Sequence, residues 1–451
     1  FFIMSKKIFQ SRRDFLGSAV IGAAGIMGVS NLIASCSNSG NKDVTLDVPI
    51  MPEEAPDGEP LRAGLIGCGG RGTGAAINFL KAGPNLELVA MADVFEDRMD
   101  ESRKKIKDEM SVEVPDEKCF IGFDAYKKVL ESDINYVILA TPPYFRPVQF
   151  KAAIEARKHV FMEKPLAVDP VGVRSIISDA RKAESIGLTV VTGTQRHHMP
   201  NYIEAYKKVK YGEIGDIVSA NCYWNAGQLW YKNRKPEWTE MEWMIRDWVN
   251  WTWLSGDHIT EQHIHNIDVI NWFMGKFPQK AVGIGSRQRR VTGNQYDNFS
   301  IDFIYEGDVH VHSMCRQISG CANQIGEYIR GSKGYTNCKS FINDTAGNKI
   351  WDYSEENEGE NGKRDVSGQD QEHINMVTAI RKNTPMNTAE FTAKSTLSAI
   401  MGRIAAYTGK EVTWDEIMNS DLRLGPENVT QFGSSKYFDH TIPVPGEEKN
   451  D

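Results

Sequence analysis

Residues 61–72 read LRAGLIGCGGRG, a short apolar run that opens directly into Gly67-Cys68-Gly69-Gly70-Arg71-Gly72. Gly67, Gly69 and Gly72 fall at G-x-G-x-x-G spacing. The first glycine permits a tight turn, the second lets backbone approach a pyrophosphate, and the third lets the next helix pack close to the strand. A phosphate there meets the positive end of that helix. A second strand-like run, Leu86 to Met91, ends in Ala92-Asp93, which puts a carboxylate 26 residues after Gly67. Such a carboxylate accepts hydrogen bonds from both hydroxyls of an adenosine ribose and repels a 2′-phosphate, so NAD is expected over NADP, with Arg98 nearby as the opposing signal. The alternative is that Asp93 caps the next helix.

The strand-then-helix alternation continues. Helices are expected over residues 95–110, 123–130, 145–157 and 170–186, with strands over 135–140, 159–164 and 188–192. This is an α/β pattern: a Rossmann domain with a doubly wound parallel sheet over residues 61–195. Ala140-Thr141-Pro142-Pro143 follows its strand at once, and the prolines end pairing where the chain turns across the ligand crevice. Glu163-Lys164-Pro165 ends the next strand, placing an amine at the carboxyl edge of the sheet. Partial desolvation there eases loss of its proton, so that it can take one from a hydroxyl as hydride leaves.

Taken in order, G-x-G-x-x-G, the strand-end Asp93, Ala-Thr-Pro-Pro and Glu-Lys-Pro resemble the Gfo/Idh/MocA oxidoreductase family over roughly residues 61 to 410. The resemblance implies that Lys164 is catalytic, that Glu163 contacts the nicotinamide ribose and that the peptide before Pro165 is cis. The implied cofactor set is Gly67, Gly69, Gly70, Arg71, Gly72, Asp93, Thr141, Pro142, Glu163 and Pro165. The family pattern places a His shortly after the strand-end proline, whereas this chain has Tyr144-Phe145-Arg146, leaving Arg146 open to a different contact.

Residues 261–268 read EQHIHNID, a helical pattern with Glu261, His265 and Asp268 on one face. The segment resembles the family's Asp-x-x-x-His-x-x-Asp active-site helix with Glu261 in place of the first Asp. That match makes His265 the second proton-transfer group, Glu261 the residue that orients it or the substrate, and Asp268 a support. The extra methylene of Glu261 shifts a substrate by about an ångström, enough to change which sugar is accepted. Gln195, Arg196, Asp268 and Trp253 are the substrate-side candidates. His258, Glu261 and His265 also share a stripe that suits zinc or iron. Because Lys164 already supplies a base and hydride transfer needs no Lewis acid, no metal is expected, and His258 and His263 read as helix-start or surface residues.

Seven of the ten tryptophans crowd into residues 224–253. Their faces suit sugar rings, although at least half are expected in the core or a subunit interface. Residues 196–451 read as a substrate-binding and oligomerisation α+β domain with an open, mostly antiparallel sheet. Strands are expected over 282–287, 300–305, 309–315 and 327–330, and helices over 369–381 and 391–407. Residues 355–364 read as an exposed loop, and the tail after Asp421 as extended or wrapped on a neighbour.

The chain has 451 residues, is 41% apolar and carries a net charge of −8. That size holds two domains, and the charge argues against nucleic acid. Residues 1–36 read as a twin-arginine export signal around Arg12-Arg13, ending in Ile33-Ala34-Ser35-Cys36, which resembles a lipoprotein box with Cys36 lipidated. Residues 37–60 read as a flexible tether. The expectation is a periplasmic or membrane-anchored lipoprotein that contacts membrane only through the lipid on Cys36 and assembles as a dimer or tetramer. Free NAD is scarce outside the cytoplasm, so the cofactor is expected to stay bound. The leading reading is an oxidoreductase acting on a sugar or cyclitol hydroxyl. Redox-neutral, NAD-dependent glycoside hydrolysis is its rival, and a non-catalytic sugar-binding lipoprotein is the third.

Overall fold

The computed structural model describes residues 48–356, 366–427, 429–433, 438 and 440–447. The expected signal, Cys36 and the first part of the expected tether lie outside the described residues. The first domain is a six-stranded parallel sheet of β1 (Leu61–Ile66), β2 (Leu86–Asp93), β3 (Cys119–Ile121), β4 (Tyr136–Leu139), β5 (His159–Met162) and β6 (Val190–Thr192). Its strand order is β3-β2-β1-β4-β5-β6. All four residues of β4 are buried, the near-continuous apolar run that a sheet covered on both faces requires. Helices α1 (Gly70–Leu80), α2 (Glu96–Met110), α3 (Ala125–Glu131), α4 (Arg146–Glu155) and α5 (Pro170–Ser185) make the crossovers. The order reverses between β1 and β4, and the crevice at their carboxyl ends is where such sheets bind ligands.

The chain then enters the second domain through α6 (Pro200–Lys210) and β7 (Ile217–Ala226). Four helices follow: α7 (Glu240–Arg246), α8 (Thr252–Ser255), α9 (His258–Glu261) and α10 (Ile264–Met274). Next come β8 (Lys280–Ser286), β9 (Asn298–Tyr305), β10 (Val309–Gln317), β11 (Gln324–Gly331), β12 (Gly334–Thr336), β13 (Phe341–Asp344) and β14 (Lys349–Asp352). After α11 (Tyr353–Glu356), α12 (Gly368–Arg381) and α13 (Ala389–Thr408) come β15 (Val412–Thr413) and α14 (Trp414–Asn419). The sheet runs β14-β13-β12-β11-β7-β10-β9-β8-β15. Only the β7–β10 pair is parallel among its described pairings, so the sheet is mixed and mostly antiparallel. Its central strand, β7, was not expected. Its sequence IVSANCYWNA does alternate, Ser219 and Asn221 with buried Ala220 and Cys222, but the inward residues are small and asparagine is a poor strand former, so the run lacks a bulky β-branched signal.

Helix α13 closes this sheet from one side. A Cβ at Gly402 would lie 2.8 Å from Phe303 Cζ, so the glycine lets helix and ring meet directly. Three sequence expectations change here. From Met51 to Glu59 the expected tether is docked: Ala55 is buried and its N–H donates to the Ala82 carbonyl at 2.8 Å, while Arg381 donates to the Pro56 carbonyl at 2.6 Å. The tail packs on its own chain, with the Leu424 N–H donating to Asp169 at 2.9 Å and Phe432 stacked on Phe95 at 5.3 Å. The expected loop at 355–364 begins as helix α11, and residues 357–365 lie outside the described residues.

Phe303 is among the largest fully buried side chains. Phe303→Ala is expected to destabilise the fold by about 3–5 kcal/mol. Denaturant unfolding checks this, and an unchanged midpoint contradicts the α13 packing described.

Candidate active site

The crevice holds a cavity of about 670 Å³ lined by Gly67, Gly69, Gly70, Arg71, Gly72, Asp93, Thr141 and Pro142, among others. Gly67 has φ +97°, and a Cβ on Gly72 would sit 1.8 Å from the Gly67 carbonyl oxygen. Glycine is therefore required at both, first for conformation and then for close packing of α1 on the turn. At Gly69 and Gly70 an added Cβ would meet nothing within 4 Å, so bare backbone faces open cavity at the amino end of α1. This is a cradle for a diphosphate.

Asp93 ends β2 and lines the same cavity. Its carboxylate accepts from Cys68 N–H at 2.7 Å and Phe95 N–H at 2.9 Å. It thus ties the glycine turn to the segment that leads into α2; the N-cap of that helix is Phe95 without a side-chain hydrogen bond, so Asp93 does not cap it and its carboxylate stays on the cavity wall. Burial pushes its pKa up from the ordinary carboxylate value. Arg98 also lines the cavity, 3.4 Å from Glu101.

A smaller cavity of about 230 Å³ shares Arg71, Ala140 and Trp248 with the first. Lys164, Glu163, Glu261, His265, Arg146, Gln195 and Gln369 line it as well. Lys164 Nζ donates to the Glu261 carbonyl at 2.7 Å and to its carboxylate at 3.2 Å, and the Lys164–Pro165 peptide is cis. Glu163 is 2.5 Å from Arg71, whose guanidinium also reaches Glu372 of α12 at 2.9 Å. A Cβ on Gly193 would lie 2.6 Å from Glu163 Oε2, so that glycine makes room for the carboxylate.

The expected single helix across Glu261 and His265 is broken: Glu261 ends α9, and His265 lies in the first turn of α10. The break turns Glu261 toward Lys164 yet leaves His265 in the same cavity. His265 stacks on Trp224 with centroids 5.8 Å apart. Burial first, then the charges of Lys164, Arg196 and Arg71, hold its pKa well below the ordinary imidazole value, so the ring is neutral.

Three expected substrate contacts are not in this cavity. Asp268 is buried behind it and pairs with His197 Nε2 at 2.6 Å. Arg196 pairs with Glu327, which also accepts from Asn266 at 2.6 Å and Tyr202 at 3.1 Å. Trp253 packs into an aromatic cluster with Tyr144, 4.9 Å between centroids, because that cluster buries its large apolar face. Trp230 and Trp248 are the tryptophans that line the larger cavity. His258 and His263 stand at helix starts, His258 as the first residue of α9 and His263 just before α10, and both are buried, not at the surface. His258 pairs with Asp257 at 3.0 Å and His263 with Ser313 at 2.7 Å. Among the described residues no three His, Cys, Asp or Glu side chains are placed to hold a metal. Sequence reasoning missed Glu372 and Gln369, whose α12 lies far along the chain, and Trp248. Arg146 carried a signal, its position just after Pro142-Pro143.

A parallel sheet with a glycine cradle and a strand-end acid, joined to a mixed-sheet domain that closes over a lysine at the sheet edge, defines the two-domain class of dinucleotide-binding oxidoreductases. Residues 61–192 match the oxidoreductase family with NAD-binding Rossmann fold, and residues 202–336 match the GFO/IDH/MocA C-terminal domain. The protein belongs to the Gfo/Idh/MocA family. It is 30% identical to the myo-inositol 2-dehydrogenase of Thermotoga maritima over 34% of this chain and 42% of that protein. It is also 30% identical to a glycosyl hydrolase family 109 protein of Shewanella pealeana, over 39% of this chain and 38% of that one. A third relative, the 2,7-anhydro-N-acetylneuraminate hydratase of Escherichia coli, is 28% identical over 34% of this chain and 37% of its own. The matches thus span about two fifths of these relatives. In fold, the chain resembles the scyllo-inositol dehydrogenase of Lactobacillus casei solved with NAD(H) and scyllo-inositol: TM-score 0.58, 21% identity, 78% of this chain and 99% of that one. An oxidoreductase domain protein of Kribbella flavida gives TM-score 0.63 at 18% identity, with 79% and 99% coverage.

Gly72→Ala drives a methyl group into the Gly67 carbonyl and is expected to weaken NAD binding at least tenfold. Calorimetric titration of the nucleotide-stripped protein checks this, and wild-type affinity contradicts the cradle.

Proposed function

We propose that this protein is an exported, NAD-dependent oxidoreductase acting on a CH–OH group of a sugar or cyclitol. The observation that carries the reading is the Lys164–Glu261 contact in a cavity that shares Arg71 and Trp248 with the glycine cradle. The residues present fit the cofactor. Gly67, Gly69, Gly70 and Gly72 would hold its diphosphate, Asp93 the adenosine ribose, and Thr141, Pro142, Glu163 and Pro165 the nicotinamide end. Asp93 supports NAD over NADP. Bound there, NAD supplies the acceptor for hydride.

The protein's own groups handle the proton. Lys164 takes it from the substrate hydroxyl, while the Glu261 carbonyl and carboxylate fix the amine in place. His265, neutral and lining the same cavity, is the second proton carrier, and Gln195 binds a further substrate hydroxyl. Trp248 walls both cavities and limits access of water. Arg12-Arg13 and the box ending at Cys36 support export and lipid anchoring, and scarcity of free NAD there favours a cofactor kept between turnovers. A dimer or tetramer is part of the proposal, supported by apolar Ile284, Val218 and Tyr328 exposed on the second sheet.

The glycosyl hydrolase family 109 and hydratase relatives support a second reading, glycoside cleavage with no net redox change. The same lysine and imidazole would then also manage the proton on carbon next to the oxidised centre. Incubating NAD-loaded protein with a panel of sugars, inositols and aryl glycosides separates them. Oxidised sugar with bound NADH supports the oxidoreductase, and free aglycone without added NAD supports the second reading. Neither product from any panel member contradicts both.

Lys164→Met is expected to lower the rate at least a thousandfold while leaving bound NAD in place. Extraction of the nucleotide alongside the rate assay checks both halves, and retained activity contradicts the role of Lys164. Because His265 is already neutral well below pH 6.5, kcat/KM is expected to show no His265 limb between pH 6 and 8. A limb near 6.5 that vanishes in His265→Asn contradicts this.

A further inference from the structure

Arg146 opens α4, is 4% exposed, and lines the smaller cavity with Lys164, Glu261 and His265. Its guanidinium donates to the Pro165 carbonyl, and its Nε has no partner among the described residues. The two carboxylates that share the cavity are engaged elsewhere: Glu163 with Arg71 at 2.5 Å and Glu261 with Lys164 at 3.2 Å. Among the described residues no carboxylate pairs with Arg146.

A buried guanidinium with no carboxylate in contact is a costly arrangement: Glu163 and Glu261 offset its burial only through space, and the amino end of α4 beside it adds positive potential. Burial lowers the Arg146 pKa to about 10, which still leaves it charged near neutral pH. Such a cation is set to receive an anion that arrives with a ligand. The cofactor's diphosphate is not that anion, because Gly69 and Gly70 open into the larger cavity, which Arg146 does not line. What enters the smaller cavity beside Lys164 is the nicotinamide that Glu163 would hold, which carries no negative charge, and the reacting part of the substrate. Among anions a substrate can carry, a carboxylate matches the planar fork of a guanidinium and the small volume at hand.

We infer that Arg146 is a specificity-determining residue that binds a carboxylate on the substrate, which makes the substrate a sugar acid of the hexuronate type. The inference rests on the proposed function and adds the substrate's charge to it. Lys164 then faces a hydroxyl of the same ring, with the carboxylate anchored at Arg146 and the remaining hydroxyls toward Gln195 and Gln369.

The test compares matched pairs, glucuronate with glucose, galacturonate with galactose and mannuronate with mannose, titrated into the NAD-loaded protein. In wild type at least one uronate is expected to bind tenfold or more tightly than its neutral hexose. In Arg146→Met that ratio falls toward one, and in Arg146→Lys it keeps an intermediate value. Retained NAD and an unchanged circular dichroism spectrum show that a variant is folded, and Arg146→Lys carries the test if Arg146→Met does not fold. Equal affinity within every pair, or a uronate preference that survives both substitutions, overturns the inference and leaves Arg146 as a support for the Pro165 carbonyl. Reduction of bound NAD by neutral sugars alone overturns it as well while sustaining the proposed function. Absence of NAD binding breaks that function itself, and the inference falls with it.

Discussion

The contact between Lys164 and Glu261 is the constraint on which the site depends. Lys164 comes from the end of β5 in the first domain and Glu261 from the end of α9 in the second, so neither domain alone contains the reactive cavity. The backbone carbonyl and the carboxylate of one residue hold the amine at two points, which fixes where its third proton or lone pair is directed. The break between α9 and α10 follows from this demand. An unbroken helix would carry Glu261 and His265 on one stripe, whereas the break lets one residue grip the lysine and the other present a bare ring to the same space.

Arg71 performs the corresponding task on the cofactor side. Placed in the glycine turn, it reaches Glu163 and Glu372 together and so joins the cradle, the strand-end motif and α12. It was expected to bind the cofactor directly. Its guanidinium reaches the two glutamates and, at 3.4 Å, Asn78, and Arg71 lines both cavities, holding Glu163 at their boundary. The surrounding charges then explain the neutral His265: three cations and burial all oppose a fourth positive charge.

The first domain was legible because each of its signals is local. The turn at residues 67–72, the acid at 93, the prolines at 142–143 and the lysine at 164 all sit at strand ends, and strand ends at one edge of a parallel sheet share one crevice. The second domain was legible as a class, yet its central strand β7 was not, since its buried positions carry small Ala220 and Cys222 in place of bulky apolar side chains. Site residues failed where position depends on packing between distant segments. Asp268 shares a helix with His265 but faces His197, and Trp253 serves the aromatic cluster under the tail. Glu372 joins Arg71 from 301 residues away, a separation that no motif spans.

The proposed function stands on hydride transfer between a substrate carbon and a nucleotide held in the larger cavity, with Lys164 beside the reacting hydroxyl. The direct measurement is a single turnover of NAD-loaded protein with a panel of carbon-deuterated hexoses, hexuronates and inositols, followed by mass analysis of the extracted nucleotide. Deuterium is expected in the nicotinamide ring from at least one substrate, and none from that substrate with Lys164→Met. An unlabelled nucleotide with every member of the panel, or equal labelling in the variant, would contradict it.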